Sequence, residues 1–232
     1  MTRRGLDRNL IIAAARELVQ REGLERLTMR ALSKDLGVEA PSLYSHVRDK
    51  ADLIAGLVDL VCLEAMVVPT EGDWLSKLRG LAYSLRHALL SNPTLAPAVA
   101  QGAVLSPSNI DATEQLIKQL ADMGVPLEQG AYATNVIASF VVGQALIEIN
   151  AERARDERID RLRPVLATGD YPTISEVLTK RLDRQREFEF GLGVVLEGLR
   201  QQFEPSRERP PAPPEGSAAR RAARPGVRPP LT

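Results

Sequence analysis

TMRALSKDLGVEAPSLYSHVRDK, residues 28–50, decides the fold. The stretch reads as two short helices around a tight turn. Thr28 suits the cap of the first, because its side-chain oxygen can accept a bond from one of the backbone N–H groups that a helix start leaves unpaired. Ala31, Leu32 and Leu36 recur at helical spacing. Gly37 ends that helix, as glycine does where the chain turns to positive φ. Val38 is a buried spacer, and Pro41 suits the first turn of a second helix, where its missing N–H costs nothing. Leu43 and Val47 give that helix one apolar side, while Ala40, Ser42, Ser45 and His46 leave the other small or polar. Two helices, a glycine turn and a small outer face describe a helix-turn-helix able to enter a major groove.

Leu27-Thr28-Met29-Arg30-Ala31-Leu32, Leu36-Gly37-Val38, Pro41-Ser42-Leu43-Tyr44-Ser45-His46-Val47 and Lys50 together resemble the tetracycline-repressor (TetR) family of dimeric transcriptional regulators. The ending Leu-Tyr-x-His-Val-x-x-Lys is more specific than a generic helix-turn-helix. The resemblance extends to about Phe203, through Trp74, Ala88-Leu89-Leu90-Ser91 and Phe190-Gly191-Leu192.

It implies roles for individual residues. DNA binding needs phosphate contacts that fix register and base contacts that read sequence. Thr28, Tyr44 and Lys50 match phosphate-contacting positions. A phosphate beside Lys50 would also meet the positive end of the helix that follows; a solvated lysine is the alternative. Tyr44 could instead be a half-buried packing residue. Arg30 matches a position that reaches guanine, whose O6 and N7 accept both guanidinium donors; pairing with Glu25 or Glu39 is the competing reading. Ala40, Pro41, Ser42, Ser45 and His46 match groove-facing positions. At Ala40 and Ser45 the tetracycline repressors carry glutamine and tryptophan, so this chain offers fewer base hydrogen bonds and a different operator, with more of its specificity taken from DNA shape.

Outward from this stretch the pattern stays helical. Residues 6–22 read as a bracing helix with Asp7 in its first turn and Leu10, Ile11, Ala14, Leu18 and Val19 facing inward. Residues 50–66 form a fourth helix capped by Asp49, and residues 73–91 a fifth. Pro93, Pro97 and Gly102 leave room for one short helix. Residues 107–122, 127–155, 173–181 and 184–203 complete an all-α chain of about nine or ten helices. The 127–155 segment is apolar nearly all round, which marks a helix buried in a core or an interface. Gly191 and Gly193 inside the last helix suggest close packing against its backbone, since each costs roughly 1 kcal/mol relative to alanine.

The expected division is a DNA-binding domain over 1–49, with its motif at about 28–47, a ligand-binding and dimerisation domain over 50–204, and a disordered tail over 205–232. That tail holds eight of the sixteen prolines of this 232-residue chain, too little apolar matter to fold. Residues 1–50 carry ten Lys/Arg against seven Asp/Glu, residues 51–204 fourteen against twenty-one, and the tail six against two. A basic head on an acidic body suits contact with phosphate at one end.

One cysteine, Cys62, excludes an intramolecular disulfide and a Cys-based zinc site. No signal-peptide pattern and no run of eighteen apolar residues appears, so the expectation is a cytoplasmic protein. His46 and His87 are the two histidines, and neither belongs to a catalytic motif; Gly191-Leu192-Gly193 lies in a helix and is no dinucleotide fingerprint. The chain therefore reads as a non-enzyme, the alternatives being a helical enzyme or an architectural DNA-binding protein.

The resemblance further implies a homodimer joined through the 127–155 and 184–203 helices, with Phe188, Gly191, Leu192 and Val195 at the interface. It implies a repressor of a palindromic operator, released when a small molecule enters the body; ligand-dependent activation is the alternative. The tetracycline repressors hold their drug as a magnesium complex. By that resemblance, Met66, Leu81 and Leu85 stand where a drug-contacting histidine, an asparagine and a phenylalanine would be, Ala100 where the metal-ligating histidine would be, and Ile147 where a glutamate helps hold the metal's water. The expected pocket has no metal and no cofactor, is lined by Met66, Leu81, Leu85, Ala100, Val104 and Phe140, and offers Asn135, Ser139 and Gln144 as polar contacts for a hydrophobic effector.

Overall fold

The structure is a computed structural model that describes residues 6–69, 71–101, 106–153, 161–162, 164–179 and 183–203. The described residues hold α-helices and no strand. The tail over 205–232, most of the charged run after Ile149 and Val104 lie outside them.

Helix α1 (Arg8–Glu22) begins at Asp7, which accepts from the Leu10 N–H (2.8 Å) and is therefore the cap, one step ahead of the expected first turn. Ile11, Ile12, Ala15, Leu18 and Val19 are its buried stripe. A short 3₁₀ turn (Leu24–Arg26) leads to α2 (Met29–Leu36), capped by Thr28 through the Ala31 N–H at 3.0 Å. Gly37 sits in the left-handed region (φ 65°), and the Val38 N–H closes on the Ser33 carbonyl, so the turn needs a residue without a Cβ. Helix α3 (Ala40–Tyr44) is only five residues long. It stops short of Val47, which the apolar pattern had placed on it, yet Val47 remains buried and its N–H still reaches the Leu43 carbonyl. Leu27, Leu32, Leu43 and Val47 complete a small core with α1.

Helix α4 (Lys50–Ala65), capped by Asp49, joins this head to the body; it packs on α1 at one end of the molecule and on the body helices beyond. The body comprises α5 (Trp74–Ser91), α6 (Ala96–Ala100), α7 (Pro107–Asp122), α8 (Leu127–Arg153), α9 (Pro172–Thr179) and α10 (Arg184–Phe203). Asp73 caps α5 and Ser106 caps α7. Helix α8 is the axis, in contact with α5, α6, α7 and α10. Ala133, Ile137, Val141, Ala145 and Ile149, each four residues after the last, form its buried stripe. Its opposite side leaves Tyr132, Val136 and Ile147 exposed. Leu127–Ala151 is long and apolar enough to cross a membrane by composition alone, which corrects the reading that no such segment exists. One such helix is also what the core of a soluble body requires, and α8 is packed as a core helix on one side.

Arg86 of α5 holds three helices together. It donates twice to Glu148 of α8 (3.1 and 2.8 Å) and once to Gln185 of α10 (3.1 Å), with its guanidinium 4.9 Å from the Phe188 ring centroid.

Candidate nucleic-acid interface and effector region

The cap at Thr28, the left-handed Gly37 and Pro41 in the first turn of α3 fix the angle between α2 and α3. With Leu43 and Val47 directed into the head core, Pro41, Ser42, Tyr44, Ser45 and His46 are turned outward, and Thr28 and Arg30 of the α2 start are exposed beside them. Ala40 is half-buried. Tyr44 is 55% exposed, so the packing alternative does not hold for it. Arg30 is exposed and makes no ion pair with Glu25 or Glu39. The Ser45 hydroxyl donates to the Ser42 carbonyl (2.7 Å), leaving its lone pairs for an incoming donor. Apart from Arg30, Tyr44 and His46, the outward set is small and short-reaching.

Lys50 is not the fully solvated side chain of the alternative reading. It is half-buried, and its ammonium donates to the Leu24 carbonyl (3.3 Å), tying the start of α4 to the 3₁₀ turn. Two of its three donors remain for other partners.

A second arrangement was invisible in the sequence. Arg8, the first residue of α1, sends its guanidinium to both oxygens of Asp52 (3.0 and 2.8 Å) and to the His46 carbonyl (3.3 Å). Asp52 also accepts from the Arg48 backbone N–H (2.9 Å). The Arg8 guanidinium and, next, that N–H hold the Asp52 carboxyl at about 2, well below its ordinary value. Nothing in the local pattern joins residues 38 or 44 positions apart.

The expected effector set is dispersed. Leu81 and Leu85 are buried core residues of α5, and Met66 is half-buried at the end of α4. Ala100 is exposed at the end of α6. Asn135 and Ser139 are exposed on the outer side of α8, and Gln144 is half-buried; the two exposed ones do not line the interior of this chain. Phe140 packs on Phe188, ring centroids 5.7 Å apart, in the contact between α8 and α10. Two clefts open elsewhere. One of about 490 Å³ lies between head and body, lined by Arg16, Glu64, Val67, Ser84, His87, Ala88 and Ser91. The other, about 270 Å³, adjoins Val68, Pro69, Lys77, Gln119, Asp122 and Met123. Among the described residues no group of three or more His, Cys, Asp or Glu is placed to hold a metal.

Between head-bearing and body helices, the Asp59 carboxylate of α4 accepts from the Ser106 hydroxyl and the Asn109 amide at the start of α7. The chain between α4 and α5 is strapped to α5: the Ser84 hydroxyl donates to the Val67 carbonyl (2.6 Å) and the buried Lys77 to the Pro69 carbonyl (2.9 Å).

The expected interface residues differ in burial within this chain. Phe188 and Leu192 are buried within this chain, Phe188 against Tyr83, Phe140 and Arg86. A Cβ at Gly191 would lie 2.7 Å from the Phe140 ring, so the close packing expected there is against the chain's own α8; a Cβ at Gly193 would meet nothing within 4 Å among the described residues. Val195 is half-buried. Two positions beyond Phe188 and Leu192, Phe190 (77% exposed) and Val194 (60%) face outward.

Comparison with known proteins agrees with this layout. The family model described as "Bacterial regulatory proteins, tetR family" matches residues 11–57, and that described as "Tetracyclin repressor-like, C-terminal domain" matches residues 68–203. The chain is 32% identical over 199 residues to the tetracycline repressor protein class C of Escherichia coli, covering 84% of this chain and 90% of that one. Among solved structures it resembles the Streptomyces coelicolor TetR family protein ActR in complex with actinorhodin, with TM-score 0.70, 25% identity, and 86% and 99% of the two chains covered. It also resembles TetR (class A) in complex with 5a,6-anhydrotetracycline and magnesium, with TM-score 0.63, 26% identity, and 84% and 98% covered.

Proposed function

The chain belongs to the tetR family of bacterial regulatory proteins, and from that premise we propose that it is a homodimeric repressor released from its operator by a hydrophobic small molecule. The observation that carries the DNA-binding half of the reading is the outer face of the helix-turn-helix, where Thr28, Arg30, Pro41, Ser42, Tyr44, Ser45 and His46 stand exposed around a core-anchored α3. Arg30 reads a guanine; Thr28, Tyr44 and Lys50 hold phosphates; the short side chains of α3 leave shape and apolar contact to do the rest. Such a protein works beside the chromosome, in the cytoplasm.

For release, α4 is the connection. It carries the head, and Asp59 ties it to α7. A ligand that prefers the body arrangement in which α4 has shifted draws the dimer away from the DNA-bound form by its difference in affinity for the two forms. The relatives suggest the probes. Actinorhodin and anhydrotetracycline with magnesium are the molecules in the two solved complexes above. Met66, Leu81, Leu85 and Ala100 present no oxygen ligand to a hard cation, which favours an effector bound without metal.

The test begins with selection of duplexes from a random-sequence library by the full chain. An enriched inverted repeat with half-sites about one helical turn apart is the expected result. The complex is then titrated with aromatic polyketides, and separately with tetracycline plus Mg²⁺. Release by the former and not the latter is expected. No enriched sequence would overturn the regulator reading. Release by magnesium-tetracycline, lost with a chelator, would overturn the metal-free pocket.

A further inference from the structure

We infer that Arg8 and Asp52 are positioning residues for DNA reading: they set where the end of α3 and the residues after it stand against the duplex. This rests on the regulator reading above. Helix α3 has five residues, too few to hold itself in water. At its start Glu39 makes no side-chain cap bond. Leu43 and Val47 seat it in the head core from one side. Among the described residues, the side chains of other helices that hydrogen-bond segment 45–49 are Arg8, to the His46 carbonyl, and Asp52, to the Arg48 N–H, while Asp49 accepts from the Asp52 backbone N–H as the α4 cap. The two side chains are themselves joined by a bidentate pair, the most directional ion pair available. One unit therefore joins the start of α1, the segment that follows α3 at His46 and Arg48, and the first turn of α4.

Arg8 is 43% exposed along its side chain, so a direct phosphate contact is the competing account. The two accounts differ in sign at Asp52. If Arg8 touches phosphate, neutralising Asp52 frees the guanidinium and removes a negative charge, and binding holds or tightens. If the pair positions α3, losing either member loosens the same joint.

The experiment measures dissociation constants at fixed salt, well below the melting temperature, for a duplex enriched by the wild-type chain and for a scrambled duplex of the same composition. The variants are Arg8→Ala, Asp52→Asn, the double variant, and the conservative Arg8→Lys and Asp52→Glu. Expected is roughly tenfold weaker binding of the enriched duplex by each of the first two. The double variant should be no weaker than the poorer single one. The scrambled duplex should change less than about threefold, since its phosphate contacts are not register-dependent. Partial rescue is expected from Asp52→Glu, which keeps both oxygens, and less from Arg8→Lys, which loses the fork. Unchanged or tighter binding by Asp52→Asn beside a loss in Arg8→Ala would overturn the proposal in favour of a phosphate contact. Equal losses on both duplexes would overturn it in favour of general damage to the head, as would unchanged binding in all variants in favour of no role. Failure of the wild-type chain to enrich any duplex would instead defeat the regulator reading, and this proposal with it.

Discussion

Single residues in the head divide by what they already hold. Among the described residues the Arg30 guanidinium has no partner, so its charge is available to a base. Arg30→Ala should cost on the order of 1–3 kcal/mol of operator binding and relax preference at one base pair; a loss shared by every sequence would show that it contacts phosphate only. Lys50 already bonds the Leu24 carbonyl. Lys50→Ala is therefore expected to weaken all duplexes alike and also to lower the head's melting temperature, as checked by thermal unfolding beside a salt titration. The sequence made the helix-turn-helix legible to within a residue or two, because caps, the Gly37 turn and the Leu43/Val47 spacing are local signals. It did not show that Lys50 turns back into the head, or that Arg8 reaches Asp52, because those partners meet only once the chain has folded. Asp52 also carries a pH signature. Its carboxyl is held at about 2, below its ordinary 3.8. A depressed native value means the contribution is complete above the ordinary carboxyl range and disappears as pH falls through about 2, because the unfolded chain takes up the proton first. The stability gap between wild type and Asp52→Asn, measured by denaturant titration, should close between about pH 4 and pH 2; a gap constant over that range would contradict the assignment.

At the scale of elements, the i, i+4 stripe of α8 and the Arg86 junction decide how the body is held. Apolar residues all round α8 are compatible with either burial or an interface, and the sequence left both open. The structure divides them: Ala133, Ile137, Val141, Ala145 and Ile149 inside, Tyr132, Val136 and Ile147 outside. On α10 a two-residue step separates Phe188 and Leu192, buried in this chain, from Phe190 and Val194, which face outward. Helical periodicity gives a stripe, but which neighbour covers it depends on the crossing of α8 and α10, which no local pattern encodes. Two expectations follow for the protomer. Gly191→Leu should drive a side chain into the Phe140 ring and destabilise the fold by about 1–3 kcal/mol. Arg86→Ala should cost more, about 3–5 kcal/mol, because Glu148, 15% exposed, is left without its partner and Phe188 loses its cover. Chemical denaturation curves check both, and Arg86→Ala with Glu148→Gln should recover part of the loss.

For the whole molecule, the outer faces of α8 and α10 pose one question: what covers them. Phe190, Val194, Tyr132, Val136 and Ile147 expose large apolar area on two helices that pack side by side. Apolar side chains exposed on neighbouring helices are candidates for an interaction site. A second copy would bring the same two helices and bury them in a four-helix arrangement with two-fold symmetry, which also presents two heads to an inverted repeat. The position of each residue relative to the core makes the test specific. Phe190→Asp and Val194→Asp place a charge on the outer face, so they should leave helicity and thermal unfolding of the protomer nearly intact while sedimentation shifts from dimer to monomer. Leu192→Asp places the charge in the chain's own core and should unfold the body outright. DNA binding follows the assembly: the monomeric Phe190→Asp chain keeps both halves of its helix-turn-helix but meets one half-site at a time. It should therefore bind a full inverted repeat no better than a half-site, because the linked second contact that multiplies affinity is gone. Dimers surviving in both outer-face variants would place the interface elsewhere and leave the exposed stripe to another partner.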